Sequence, residues 1–98
     1  MSWDLSSDRP IYAQLIEQIE LKICAGLYPP GSRLPPVREL ALEASVNPNT
    51  MQRALAALES EGLLHTHRTS GRFVTRDEKV VMHVKSRLVQ EHTRGFLD

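Results

Sequence analysis

"VNPNT", Val46–Thr50, joins two runs rich in alanine and leucine, "VRELALEAS" (37–45) and "MQRALAALES" (51–60). Both runs read as helices. Val37, Leu40, Ala41 and Ala44 make one apolar face, and Met51, Ala54, Leu55 and Leu58 follow the i, i+3, i+4, i+7 rule. Asn47 suits an N-cap and Pro48 the first helical position. The chain is therefore expected to turn from one helix into the next within a few residues. A helix-turn-helix has such a turn, and it lays its second helix in a DNA major groove with the N-terminal residues at the base edges. The plainer reading is that "VNPNT" only starts a helix.

Outward from this stretch the chain is punctuated regularly. An earlier helix is expected from about Asp8, capped by Asp8 or Ser7, with Pro10 in its first turn. Ile11, Leu15, Ile19 and Ile23 recur every four residues, Tyr12, Ile16 and Cys24 widen the stripe, and Gly26 stops it. "YPPGSRLPP" (28–36) is not helical, and Pro30-Gly31 fits the centre of a type II turn. Pro36 then opens the second helix, and Gly62 closes the third. In "LLHTHRTSGRFVT" (63–75), Thr66, Thr69, Phe73, Val74 and Thr75 favour strand, with Thr69-Ser70-Gly71 as the turn of a hairpin. A last helix is predicted from Asp77, its cap, with Val80, Val81, Val84 and Leu88 apolar and Gly95 interrupting it before Phe96-Leu97. Such a stripe on a single helix calls for a partner surface.

The 98 residues fit one domain with a short appendage, and 41% hydrophobic content excludes a disordered chain. No apolar stretch approaches the ~20 residues that span a bilayer, and "MSWDLSSDRP" lacks the layout of a signal peptide. The lone cysteine, Cys24, cannot form an internal disulfide, which fits a cytoplasmic setting. His65 and His67 alternate along one strand, but no third ligand at metal spacing accompanies them, so surface histidines are the simpler reading. No catalytic pattern, metal site or cofactor motif appears, so an enzyme is not expected.

Formal net charge is zero, yet the charges are unevenly placed. Residues 33–76 hold Arg33, Arg38, Arg53, Arg68, Arg72 and Arg76 against Glu39, Glu43, Glu59 and Glu61, so the middle is positive and all its cations are arginines. Guanidinium suits bidentate contact with phosphate or guanine. The first turn of the third helix adds Asn49, Thr50, Gln52 and Arg53, none on its apolar stripe. Asn and Gln pair with adenine edges, Thr with phosphate or a base edge, and the helix start itself favours phosphate. Arg38 precedes this turn, and the hairpin brings Arg68, Arg72 and Arg76. A basic hairpin after three helices reads as the wing of a winged helix.

Taken together, "PGSRLPPVRELA", "VNPNT", "ALESEGLL" and "SGRFV" resemble the N-terminal winged helix of the GntR family of bacterial transcription regulators, over about Asp8 to Thr75. The resemblance implies an α+β, mostly α, winged helix-turn-helix, with three helices and a β-hairpin wing over residues 1–76 and a helical dimerisation tail over 77–98. It implies that Arg38 contacts phosphate or base before the recognition helix. It places Asn47, Asn49, Thr50 and Gln52 at contact positions and has Arg53 brace the turn or touch backbone. The family's wing usually reads Arg-Gly-x-Gly; here Arg68-Thr69-Ser70-Gly71 replaces the first glycine by Thr69, leaving Ser70 and Gly71 to meet phosphate or a sugar edge beside Arg68 and Arg72. Residues 76–98 are too few for the large effector domain of most relatives, so the resemblance points to the YtrA-like subfamily, in a minimal or shortened form. The expected function is a DNA-binding transcription regulator, a repressor, binding an inverted-repeat operator in double-stranded DNA as a homodimer. No membrane partner is expected, and no effector is indicated. The alternative is a winged-helix protein-interaction module without sequence-specific DNA binding.

Overall fold

The computed structural model describes Trp3, Leu5, Ser6 and residues 8–97, with side chains described as far as Gln90. Four helices and one hairpin follow in the order α1 (Ile11–Cys24), α2 (Val37–Ala44), α3 (Pro48–Ser60), β1 (Leu64–His67), β2 (Gly71–Val74) and α4 (Glu78–Leu97). One core joins them: Leu15, Ile19 and Ile23 of α1, Leu40, Ala41 and Ala44 of α2, Met51, Ala54, Leu55 and Leu58 of α3, Leu64 and Val74 of the hairpin, and Val84 and Leu88 of α4.

The first three helices end in the same way. Past α1, the Gly26 amide donates to Ile23 O and Leu27 to Lys22 O; past α2, Ser45 donates to Leu42 O and Val46 to Ala41 O; past α3, Gly62 donates to Glu59 O and Leu63 to Leu58 O. These pairs form the Schellman arrangement, which needs a left-handed residue after the helix. Gly26 (φ 86°) and Gly62 (φ 83°) supply it without steric cost, whereas Ser45 (φ 58°) does so with a Cβ. Ser45 therefore makes the sharp corner of the helix-turn-helix, and Val46 turns inward behind it.

Three expectations require correction. Helix α1 has Pro10 at its N-cap and no side-chain cap. Ser7 lies outside the described residues, and the Asp8 carboxylate accepts from the Ser6 hydroxyl instead. The start is held by buried Gln14, whose amide accepts from Ser6 N (2.7 Å) and donates to Ser6 O (2.7 Å) and Arg9 O (2.8 Å). Helix α4 is capped by Asp77, which accepts from Lys79 N at 2.9 Å, but it runs through Gly95 to Leu97. One glycine costs a helix only about 1 kcal/mol relative to alanine. The Val84–Leu88 stripe of α4 needs no second subunit, because it is buried in the chain's own core with α4 packed on α1.

An unforeseen strand-like segment completes the wing. Gly31 N donates to Val74 O, Val74 N to Ser32 O and Leu34 N to Arg72 O, each at 2.9 Å, so residues 31–34 pair with the free edge of β2. The preceding turn is the expected one: Ser32 N donates to Pro29 O (3.0 Å) across Pro30 and Gly31, and Gly31 has φ 77°. The pairing fixes the wing to the entrance of α2.

Candidate nucleic-acid interface

The start of α3 is built as its sequence requires. Asn47 Oδ1 accepts from Asn49 N at 2.7 Å, Pro48 follows at N1, and Met51 points into the core. The opposite side of the helix presents Asn49, Gln52, Arg53 and Ala56, all exposed and at i, i+3, i+4 and i+7. Thr50 is half-buried at the edge of this stripe rather than fully on it. Ala56 leaves the second turn low, so a large ligand can approach the backbone closely.

The expected contact residues fall into distinct environments. Arg38 is exposed in the first turn of α2 and borders a groove lined by Ala41, Leu42, Val46 and Pro48, which places it beside the N-terminus of α3. Arg53 leans toward α1, its guanidinium 4.8 Å from the Tyr12 ring centroid, so the brace joins two helices. Arg68 and Ser70 lie in the exposed hairpin turn, where Ser70 N donates to His67 O at 3.2 Å. Among the described non-glycine residues only Ser45 has a positive φ, so Thr69 sits in the tip without backbone strain. Gly71 is where glycine is needed. Its φ is 99°, and a Cβ there would stand 3.2 Å from Arg33 Nε.

Arg72 differs from the other wing arginines. Its Nε donates to Glu59 Oε1 at 2.5 Å and its Nη1 to Gln52 Oε1 at 3.4 Å, while the Thr66 hydroxyl also donates to Glu59. Burial alone would raise the Glu59 carboxyl, but the Thr66 and Arg72 hydrogen bonds outweigh it and hold the group below the usual carboxylate range. Gln52, Thr66, Gly71 and Arg72 thus share one cleft with Arg33. Arg76 packs across Gly31 on the far side of the wing, where a Cβ on Gly31 would meet its guanidinium at 2.8 Å.

Arg33 is the residue that the sequence reading did not place at the site. "GSRL" reads as loop, and only its pairing with β2 brings the side chain to the wing. Among the described residues, Arg33, Arg38 and Arg68 make no ion pair. Unpaired guanidinium groups, Arg33 and Arg38, therefore border the α3 stripe, and Arg68 adds a third in the hairpin turn, despite a formal net charge of zero. No group of His, Cys, Asp and Glu among the described residues is placed to hold a metal ion. Cys24 is half-buried, and burial pushes its thiol up, away from the reactive thiolate.

The model of the gntR family of bacterial regulatory proteins matches residues 11–74, from the first residue of α1 to the last of β2. The chain belongs to the GntR family. It is 39% identical over 79 residues to the HTH-type transcriptional repressor YtrA of Bacillus subtilis, covering 81% of this chain and 61% of that protein's length. The structure superposes on a GntR family transcriptional regulator from Listeria monocytogenes with a TM-score of 0.89 and 34% identity, over 95% of this chain and 82% of that one. It also resembles the DNA-binding domain of AraR, solved in complex with operator ORX1, with a TM-score of 0.66 and 33% identity, over 76% of this chain and 92% of that one. The winged helix-turn-helix of this GntR regulator is thus a DNA-binding fold, and no helix among its described residues is long and apolar enough to cross a membrane.

Proposed function

We propose that this GntR regulator is a cytoplasmic repressor that binds an inverted-repeat operator as a homodimer and carries no catalytic activity. One observation supports this reading above the others. The exposed stripe Asn49, Gln52, Arg53 and Ala56 starts at the positive end of α3 and is bordered by Arg38 on one side and by Arg33 on the other, with Arg68 exposed in the hairpin turn. In this reading α3 enters a major groove, Asn49 and Gln52 meet base edges, and Thr50 and Arg38 reach phosphates. Asn47 contributes through the cap, which sets the angle of the first turn. Arg68, Ser70 and Gly71 bring the wing tip to the neighbouring backbone. The AraR DNA-binding domain, similar in fold and solved in complex with operator ORX1, supports DNA binding through this domain.

In this reading the second subunit docks on α4. Met82 (59% exposed) and Val89 (56% exposed) are spaced i, i+7 on the side of the helix that α1 leaves uncovered. For an inverted-repeat operator, the pairing of these faces has to hold the two α3 helices about one DNA turn apart, ~34 Å.

The reading is tested by two classes of variant, measured on an operator selected from random duplexes. Arg38→Ala weakens binding to all sequences alike and lowers the slope of log affinity against log salt by about one. Asn49→Ala relaxes base preference at one position of each half-site and leaves the salt slope intact. If both variants bind the operator as the native chain does, α3 is not the reading element.

A further inference from the structure

Gln52 is the one base-reading candidate whose side chain is held by another side chain. A free glutamine amide reads adenine with both of its ends: the oxygen accepts from N6–H and the nitrogen donates to N7. Here the oxygen is already engaged by Arg72 Nη1 at 3.4 Å. A guanidinium carries donors only, so the amide can meet it only through Oε1. One of the two lone pairs of Oε1 is thereby taken, and the NH2 group is the end of Gln52 left wholly free.

Arg72 is itself positioned. Its Nε is bonded to Glu59 Oε1 at 2.5 Å, and the pair is largely covered, with side-chain exposures of 18% and 30%. Glu59 stands two turns along α3 from Gln52, and its carboxylate is further fixed by the Thr66 hydroxyl. Arg72 therefore leaves the backbone of β2, spans the cleft to α3 and ends between Glu59 and Gln52. A wing arginine kept for phosphate would be expected to project into solvent, as Arg68 does.

We infer that Arg72 and Glu59 are positioning residues that set the specificity of Gln52, competing for its amide oxygen and so biasing it from adenine toward guanine, which it reads through its NH2 group. This inference rests on the placement of α3 in the major groove proposed above. Guanine offers two adjacent acceptors, O6 and N7, to the two hydrogens of the amide. Adenine and cytosine instead present an exocyclic amine toward a donor and are disfavoured. Thymine, with a single acceptor at O4, comes second.

The experiment is selection from a pool of random duplexes with the full chain, followed by affinities on the four operators that differ at the Gln52 position. The native chain selects guanine there, by on the order of tenfold over adenine. Gln52→Ala flattens that column and leaves the others unchanged. Arg72→Met frees the amide oxygen and moves the column from guanine to adenine; Arg72→Lys, which still donates, keeps guanine. Glu59→Gln, which leaves Arg72 without its anion, blurs the column without abolishing binding. Circular dichroism of each variant confirms that it is folded, and should Arg72→Met fail to fold, Glu59→Gln and Arg72→Lys decide the matter alone. An operator whose Gln52 column stays the same in Arg72→Met, with affinity lowered evenly, overturns the inference while leaving the DNA-binding reading intact. An unchanged column in Glu59→Gln does the same. A native chain that already selects adenine there also overturns it. If the native chain enriches no inverted repeat, both readings fall together.

Discussion

The last turn of α3 holds two glutamates, and each is tied to a different part of the molecule. Glu59 pairs with Arg72 of the wing, and Glu61, at the C-cap, with Arg87 of α4 at 3.4 Å. The wing cluster has one carboxylate for one guanidinium. The tail cluster has two, because Arg87 Nη2 also donates to Glu20 of α1, whose side chain is only 4% exposed. The electrostatic outcome is opposite in the two places. Glu59 is held below the usual carboxylate range. Burial pushes Glu20 up to about 7, with Glu61 adding to the rise and Arg87 drawing it back. A matched pair makes a fixed strut, whereas a surplus anion in a buried site makes one that responds to pH. The wing is thus pinned to α3 by a constant interaction, whereas the α4 site loses net stability as buried Glu20 ionises, even though the bond from Arg87 to Glu20 is then at its strongest.

The largest expected effect removes what the two clusters share. Leu58 is fully buried next to Glu59. Leu58→Ala should lower stability by about 3 kcal/mol, read from urea unfolding, and loosen wing and tail together. A loss confined to one of them would mean that the two clusters are not anchored through a common helix.

Arg87→Leu separates them. It strands the buried Glu20 and should cost about 2 kcal/mol at pH 8 but less at pH 5, where Glu20 takes up a proton. Arg72→Leu leaves a partly exposed Glu59 and should cost about 1 kcal/mol, with little change over the same interval. Equal pH dependence in the two variants would erase the distinction.

Glu20→Gln sharpens it further. The folded value of about 7 lies above the ordinary 4.5, so the folded chain keeps the proton across that interval. The stability this confers is complete below about pH 4.5 and is lost as pH rises through about 7. Glutamine does not titrate. The variant should therefore gain on the native chain between pH 5 and pH 8, on the order of 1–2 kcal/mol, in paired thermal melts. A constant gap would show that Glu20 is ionised throughout.

Most of the fold was legible because it depends on local rules. The four-residue spacing of Leu15, Ile19 and Ile23, the Asn47-Pro48 start and the Gly62 stop are each settled within a few neighbouring residues. The exposed stripe of α3 was legible for the same reason, since Asn49, Gln52 and Arg53 are what remains once Met51, Ala54 and Leu55 go inward. What stayed hidden depends on distant partners. Nothing near Arg33 in the chain shows that residues 31–34 pair with β2. Nothing near Arg72 shows that its guanidinium turns to Glu59 and Gln52 instead of a phosphate. Ser45 was hidden differently: a left-handed corner usually advertises itself by glycine, and here a serine takes it. The basic hairpin after three helices and the resemblance to GntR regulators both pointed to a wing, but not to which of its arginines are already paired.

The central claim is that the first turn of α3 lies in the major groove, twice, on one face of the DNA. Methylation protection on the selected operator measures this directly, because dimethyl sulfate reacts with guanine N7 in the major groove and adenine N3 in the minor groove. The native chain should protect guanines in two major-groove segments about one helical turn apart, ~10 base pairs, and Asn49→Ala should weaken protection within those segments without shifting them. Protection of minor-groove adenines alone, or of a single segment with no symmetric mate, would contradict the account.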